Sequence, residues 1–136
     1  MQYSIVLDAE VIDEQFSAYS PYNLKKDIKH LSEEELETIG LKLVDELKFG
    51  PHSPVYVEKY NCKKERKINF SKIRVGDEKR KGGKSNGYRC ILLIDNIHKY
   101  GYLLHIYRHS HGENDNIRDS DKNKLKCLVE EYYKSI

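Results

Sequence analysis

The chain has 136 residues, 34% of them charged against 38% hydrophobic, with a formal net charge of +2. That length closes one hydrophobic core and excludes two full-sized enzymatic domains, and no apolar run reaches the roughly 20 residues of a membrane-crossing helix. Three cysteines, Cys62, Cys90 and Cys127, form an odd set without a C-x-x-C pair, which fits reduced thiols better than a disulfide scaffold or a zinc knuckle.

Taken in chain order, Tyr3, Ile5 and Leu7 alternate as in a short strand, and the start lacks the basic residues and cleavage site of a signal peptide. A cytoplasmic protein is therefore expected. Val11, Ile12, Phe16 and Tyr19 then recur at irregular helical spacing up to Pro21, which predicts a short helix or turn. Ser32 with Glu35 makes a capping box, three glutamates follow where the helix dipole favours them, and Leu36, Ile39, Leu43 and Leu47 form one apolar stripe. Gly50-Pro51 stops that helix, and residues 51 to 67 read as a loop or weak extended stretch around Val55-Tyr56-Val57.

Residues 68 to 75 alternate with period two, placing Ile68, Phe70, Lys72 and Arg74 on one face of a strand and Asn69, Ser71, Ile73 and Val75 on the other. A glycine-rich basic loop from Gly76 to Gly87 leads into the apolar run Tyr88 to Ile94, of central-strand type, and Tyr102 to Arg108 returns as its partner. Ser120 or Asp119 is the expected cap of a last helix carrying Leu125, Leu128, Val129, Tyr132 and Ile136. The predicted fold class is α+β: an antiparallel sheet of about four strands packed against two or three helices in two layers, as one domain over 1–136.

The net charge hides an asymmetry: residues 1 to 58 sum to -7, residues 59 to 89 to +9, and the remainder to zero. Such a polycation repels itself unless an anion is near, and phosphate backbones are the commonest partner, although a solvated face balanced by the acidic first third is the plain alternative. No phosphate loop, EF-hand, H-E-x-x-H or G-x-S-x-G motif is present.

Lys72-Ile73-Arg74 on one strand, Gly83-Lys84-Ser85-Asn86-Gly87-Tyr88-Arg89 opening the next, Tyr102-Leu103-Leu104-His105-Ile106-Tyr107 on the last, and Glu113-Asn114 before a terminal helix fall in an order that resembles the RelE superfamily of bacterial toxins, closest to HigB-type members. The likeness covers residues 68 to 136; the first half matches only in its helices. It implies ribosome-dependent cleavage of messenger RNA without metal or cofactor, and an antitoxin encoded alongside, of helix-turn-helix type. By position it assigns the catalytic roles to Lys72, Arg74, Arg89 and either Arg108 or His109. The functional tyrosine that RelE-like members keep near the C-terminus falls at Tyr132 or Tyr133, but both lie on the helical stripe that belongs to the core.

Cations suit this reaction. The ribose 2′-hydroxyl attacks the adjacent phosphorus, so the protein must move protons and stabilise a dianionic phosphorane. Lys72 and Arg74, two apart on a strand, project from one face, and a lysine crowded by arginines is expected to lose its proton more easily; Arg89 completes a fork on the phosphate. Lys79, Arg80, Lys81 and Lys84 sit in a loop too mobile to hold a transition state and suited to gripping RNA phosphates. His109 beside Arg108 is a candidate acid or base. His105, His109 and His111 share strand parity, but no fourth ligand accompanies them and no metal centre is expected. Two other readings remain open: a gyrase inhibitor like the related ParE branch, and a non-catalytic RNA-binding module.

Overall fold

In a computed structural model of the chain, residues 2–48, 67–76, 87–108 and 117–136 are described in full, and residues 56–60 by their backbone. The elements run β1 (Ser4–Val6), α1 (Ala9–Phe16), α2 (Leu24–Asp27), a 3-10 turn (Ile28–His30), α3 (Glu33–Leu47), β2 (Tyr56–Tyr60), β3 (Ile68–Val75), β4 (Tyr88–Asp95), β5 (Tyr100–Arg108) and α4 (Asp119–Ser135).

Local chemistry accounts for the helix starts. The Asp8 carboxylate accepts from the amides of Glu10 and Val11 at 3.0 and 3.3 Å and opens α1. Asp13 reaches from α1 to the amides of Leu24 and Lys25, at 3.0 and 3.1 Å, and so fastens α2 beside it. The Ser32 and Glu35 capping box forms in both directions at the start of α3.

The five strands lie in the order β1-β5-β4-β3-β2. β2 to β5 are antiparallel, and β1 lies parallel to β5, Ser4 opposite Tyr100. All eight residues of β4 are buried, and in β3 only Arg74 is exposed. A strand buried on both sides needs cover on both sides. On one face Phe16 of α1 and Tyr132 of α4 pack edge-on against Tyr102, with ring centroids 5.2 and 5.5 Å away. On the other face α3 comes so close to β5 at Gly101 that an added Cβ would meet Ile5 at 2.8 Å and Leu47 at 3.2 Å.

The α+β class expected from sequence is the class formed, with three differences. The stretch around Tyr56, read as loop or weakly extended, pairs with β3 as β2. Helices flank the sheet on both faces, because the apolar run of β4 cannot be covered from one side only. The N-cap of α4 is Arg118 and not Ser120 or Asp119; it makes no side-chain cap bond, and Asp119 and Asp121 in the first turn act on the helix dipole instead.

One polar centre ties these layers together. Asp95, fully buried at the end of β4, accepts from the Tyr132 hydroxyl at 2.7 Å, from the amides of Ile97 and His98 at 2.8 and 2.9 Å, and from His98 Nδ1 at 2.9 Å. Tyr132 spends its proton on Asp95, so it accepts from the Tyr102 hydroxyl, 3.1 Å away. Burial alone raises the pKa of Asp95, yet the bonds from Tyr132, His98 and Ile97 together outweigh it and hold the carboxyl below its usual range. Tyr132 moves the opposite way, raised first by burial and then by donating to Asp95.

A carboxylate with a depressed folded-state pKa contributes stability that is present above its unfolded value of roughly 3.9 and is lost as pH falls through the folded one. Tyr132→Phe removes one donor to that carboxylate and is expected to cost about 1.5–3 kcal/mol at neutral pH. The gap between wild type and variant narrows as Asp95 becomes protonated. Urea unfolding of both proteins in a pH series descending from 7 checks this; a gap that stays constant all the way to acid unfolding would disprove it.

Candidate functional site

The registers decide which charged side chains share a face. Arg74 of β3 is paired with Arg89 of β4, and Arg89 with Tyr107 of β5. One step along, Lys72 is paired with Ile91, and Ile91 with His105. Alternation therefore sets Arg74, Arg89 and Tyr107 in one row and Lys72, Ile91 and His105 in the next, on the face that carries α1, α2 and α4. Arg108 is paired with Tyr88 and belongs to the opposite face; its guanidinium lies 4.4 Å from the Tyr88 ring centroid and donates to the Tyr88 hydroxyl at 2.6 Å. Of the catalytic residues expected from sequence, the sheet brings together Lys72, Arg74 and Arg89 and sends Arg108 to the other side. His109, Lys79, Arg80, Lys81 and Lys84 lie outside the described residues.

Burial divides the three that meet. Arg74 is exposed, whereas Lys72 and Arg89 are each only 1% exposed and engaged within the fold. Removing two ions from water costs several kcal/mol per ion before any compensation. The sequence reading of Lys72 and Arg74 as a pair on one strand face holds for direction and fails for access. β3 is an interior strand under α4 and not an open surface, so Lys72 lies beneath the surface that Arg74 reaches.

Beside these cations stands His105, which the sequence offered only by its strand parity, in a setting the sequence did not show. His105 Nδ1 lies 2.6 Å from Asp27 Oδ2, and the same carboxylate oxygen accepts from the Ile106 amide at 3.3 Å. The His105 ring stacks on Tyr22, with centroids 4.1 Å apart and planes 2° from parallel, and sits 5.0 Å from the Tyr107 ring. The Tyr22 hydroxyl is pushed well above its ordinary pKa, first by burial and then by Asp121 and Asp27, with Arg118 opposing. The parity of His105 and Tyr107 was legible in the sequence. Asp27 and Tyr22 were not, since only the tertiary fold carries α2 onto β5.

Cys90, fully buried on the other face, has its thiol pushed up by burial despite the neighbouring Arg89. Cys127 is exposed on α4. Among the described residues no set of three or more His, Cys, Asp or Glu is placed to hold a metal ion, and no helix is long and apolar enough to cross a membrane. No protein-family model matches the chain, and no curated protein matches it.

Like charges directly opposite on neighbouring strands are destabilising. Arg74→Ala is therefore expected to leave folding stability unchanged or slightly raised, while Lys72→Ala, which deletes a buried and engaged cation, should cost about 3 kcal/mol or more. Urea midpoints for the two variants measure this contrast, and equal losses would contradict the burial assigned to Lys72.

Proposed function

We propose that the protein is an RNA-directed toxin of RelE type, an endoribonuclease that cleaves messenger RNA on the ribosome by attack of the ribose 2′-hydroxyl on the adjacent phosphorus. The observation that carries this reading is the pairing of Arg74 with Arg89 across β3 and β4, on the same face as Lys72. Arg74 opposite Arg89, with Lys72 one row away, sets three cations on one face, and a phosphodiester offers two oxygens that the arginine fork grips in bidentate fashion.

The three cations take different roles on this reading. Arg74 reaches solvent and contacts the phosphate. Lys72 and Arg89 act mainly as fixed positive charge from below, in a medium where charge is poorly screened and already oriented before the substrate arrives. The basic stretch from Lys79 to Lys84 supplies the salt-dependent grip on ribosomal or messenger RNA. Ribosome and messenger RNA are then the partners, together with a co-encoded antitoxin of helix-turn-helix type whose acidic segment would offset the +9 of residues 59 to 89.

The near-complete burial of Lys72 and Arg89 favours a second reading, a non-catalytic RNA-binding module that uses the same basic surface.

Purified ribosomes carrying a defined messenger RNA separate the two readings. The nuclease leaves 2′,3′-cyclic phosphate and 5′-hydroxyl ends at discrete positions, and Arg74→Glu lowers cleavage at least tenfold at unchanged thermal stability. RNA that is bound but left intact by the wild-type chain supports the binding module and overturns the nuclease.

A further inference from the structure

Lys72 and Arg89 lie too deep to exchange a proton with a ribose held at the surface, so the cleavage proposed above needs a proton acceptor that reaches solvent on the same face. His105 meets that need, with 22% of its side chain exposed. It is also the diagonal neighbour of Arg89 across β4 and β5, at the roughly 7–8 Å that a long side chain bridges. Its other surroundings are built to hold one orientation. Asp27 grips the Nδ1 edge and also the backbone amide of Ile106, and Tyr22 lies parallel on the ring. A carboxylate only accepts, so Nδ1 carries the proton in this pair and Nε2 of the neutral ring is left with its lone pair.

We propose that His105 is the catalytic base of this site and that Asp27 is its positioning residue; the proposal rests on the nuclease reading. Nε2 takes the proton of the 2′-hydroxyl, the 2′-oxygen forms its bond to the adjacent phosphorus, and the bond from phosphorus to the 5′-oxygen breaks. The departing oxygen takes a proton from water and the imidazolium returns its own to solvent, so no proton is consumed overall. Asp27 faces the ring from α2 and favours the imidazolium as it forms. Tyr22 and Tyr107 are the other titratable neighbours in ring contact, Arg89 and Lys72 are the cations of the sheet, and Asp121 with Arg118 stands behind Tyr22 at the start of α4.

The test uses the full chain on ribosomes programmed with one messenger RNA, in single turnover. His105→Gln and His105→Ala are expected to lower the cleavage rate on the order of 10²-fold or more, within the usual 10²–10⁴ range for a lost acid or base. Free imidazole restores part of the rate to His105→Ala alone, a response that a purely structural histidine does not give. Asp27→Asn shows a smaller loss, part of which Asp27→Glu restores. Thermal unfolding shows each variant folded, and His105→Gln serves where His105→Ala is not. If His105→Gln cleaves at the wild-type rate while Arg74→Glu is slow, the assignment of His105 is overturned and the nuclease reading stands. If the wild-type chain cuts nothing, both fall.

Discussion

Everything in the architecture follows from one strand that has water on neither side. β4 is buried along its whole length, so each polar group on it has to find its partners inside the protein. It carries Arg89 near one end and Asp95 at the other, a cation and an anion on the same face, separated by Ile91 and Leu93. The helices pack where they do because they must cover this strand, and α4 brings the Tyr132 hydroxyl to Asp95.

The two ends answer differently. At the acidic end the carboxylate is satisfied by two hydrogens on the turn backbone, one hydroxyl and one imidazole, all from within the described fold. That end is a structural lock between the β4–β5 turn and α4. At the basic end positive charge accumulates, with Arg74 facing Arg89 and Lys72 one row away. Arg74 and Arg89, like charges directly opposite, are a destabilising pair taken alone, while Lys72 and Arg89 are engaged within the fold.

The sequence was legible wherever a local rule sufficed. Ser32 and Glu35 specify their capping box without help from the rest of the chain, and the alternation from Ile68 to Val75 fixes which residues share a face with Lys72. It was silent where the answer depends on what covers what. Nothing in Lys72-Ile73-Arg74 says that α4 lies over β3, so one cation is buried and its neighbour two positions on is not. Asp27 lies in a four-residue helix that no periodicity announces, and its bond to His105 joins residues far apart in the chain. The strand at Tyr56 escaped for a related reason: an edge strand has one partner, and its local pattern is correspondingly weak.

The parallel placement of β1 has a consequence for how the protein is born. Its hydrogen-bonding partner is β5, with Ser4 opposite Tyr100 and the Ser4 amide bonded to the carbonyl of Lys99 at 2.9 Å. β1 therefore has nothing to pair with until β5 has been made. Contacts of such separation carry a high loop-closure entropy and form late. Asp27 likewise cannot meet His105, nor Tyr22 stack on it, before β5 exists. At ordinary rates of synthesis, about 5–20 residues per second, the nascent chain spends seconds without this face assembled. This face assembles only after β5 has been made, His105 lying 78 residues beyond Asp27.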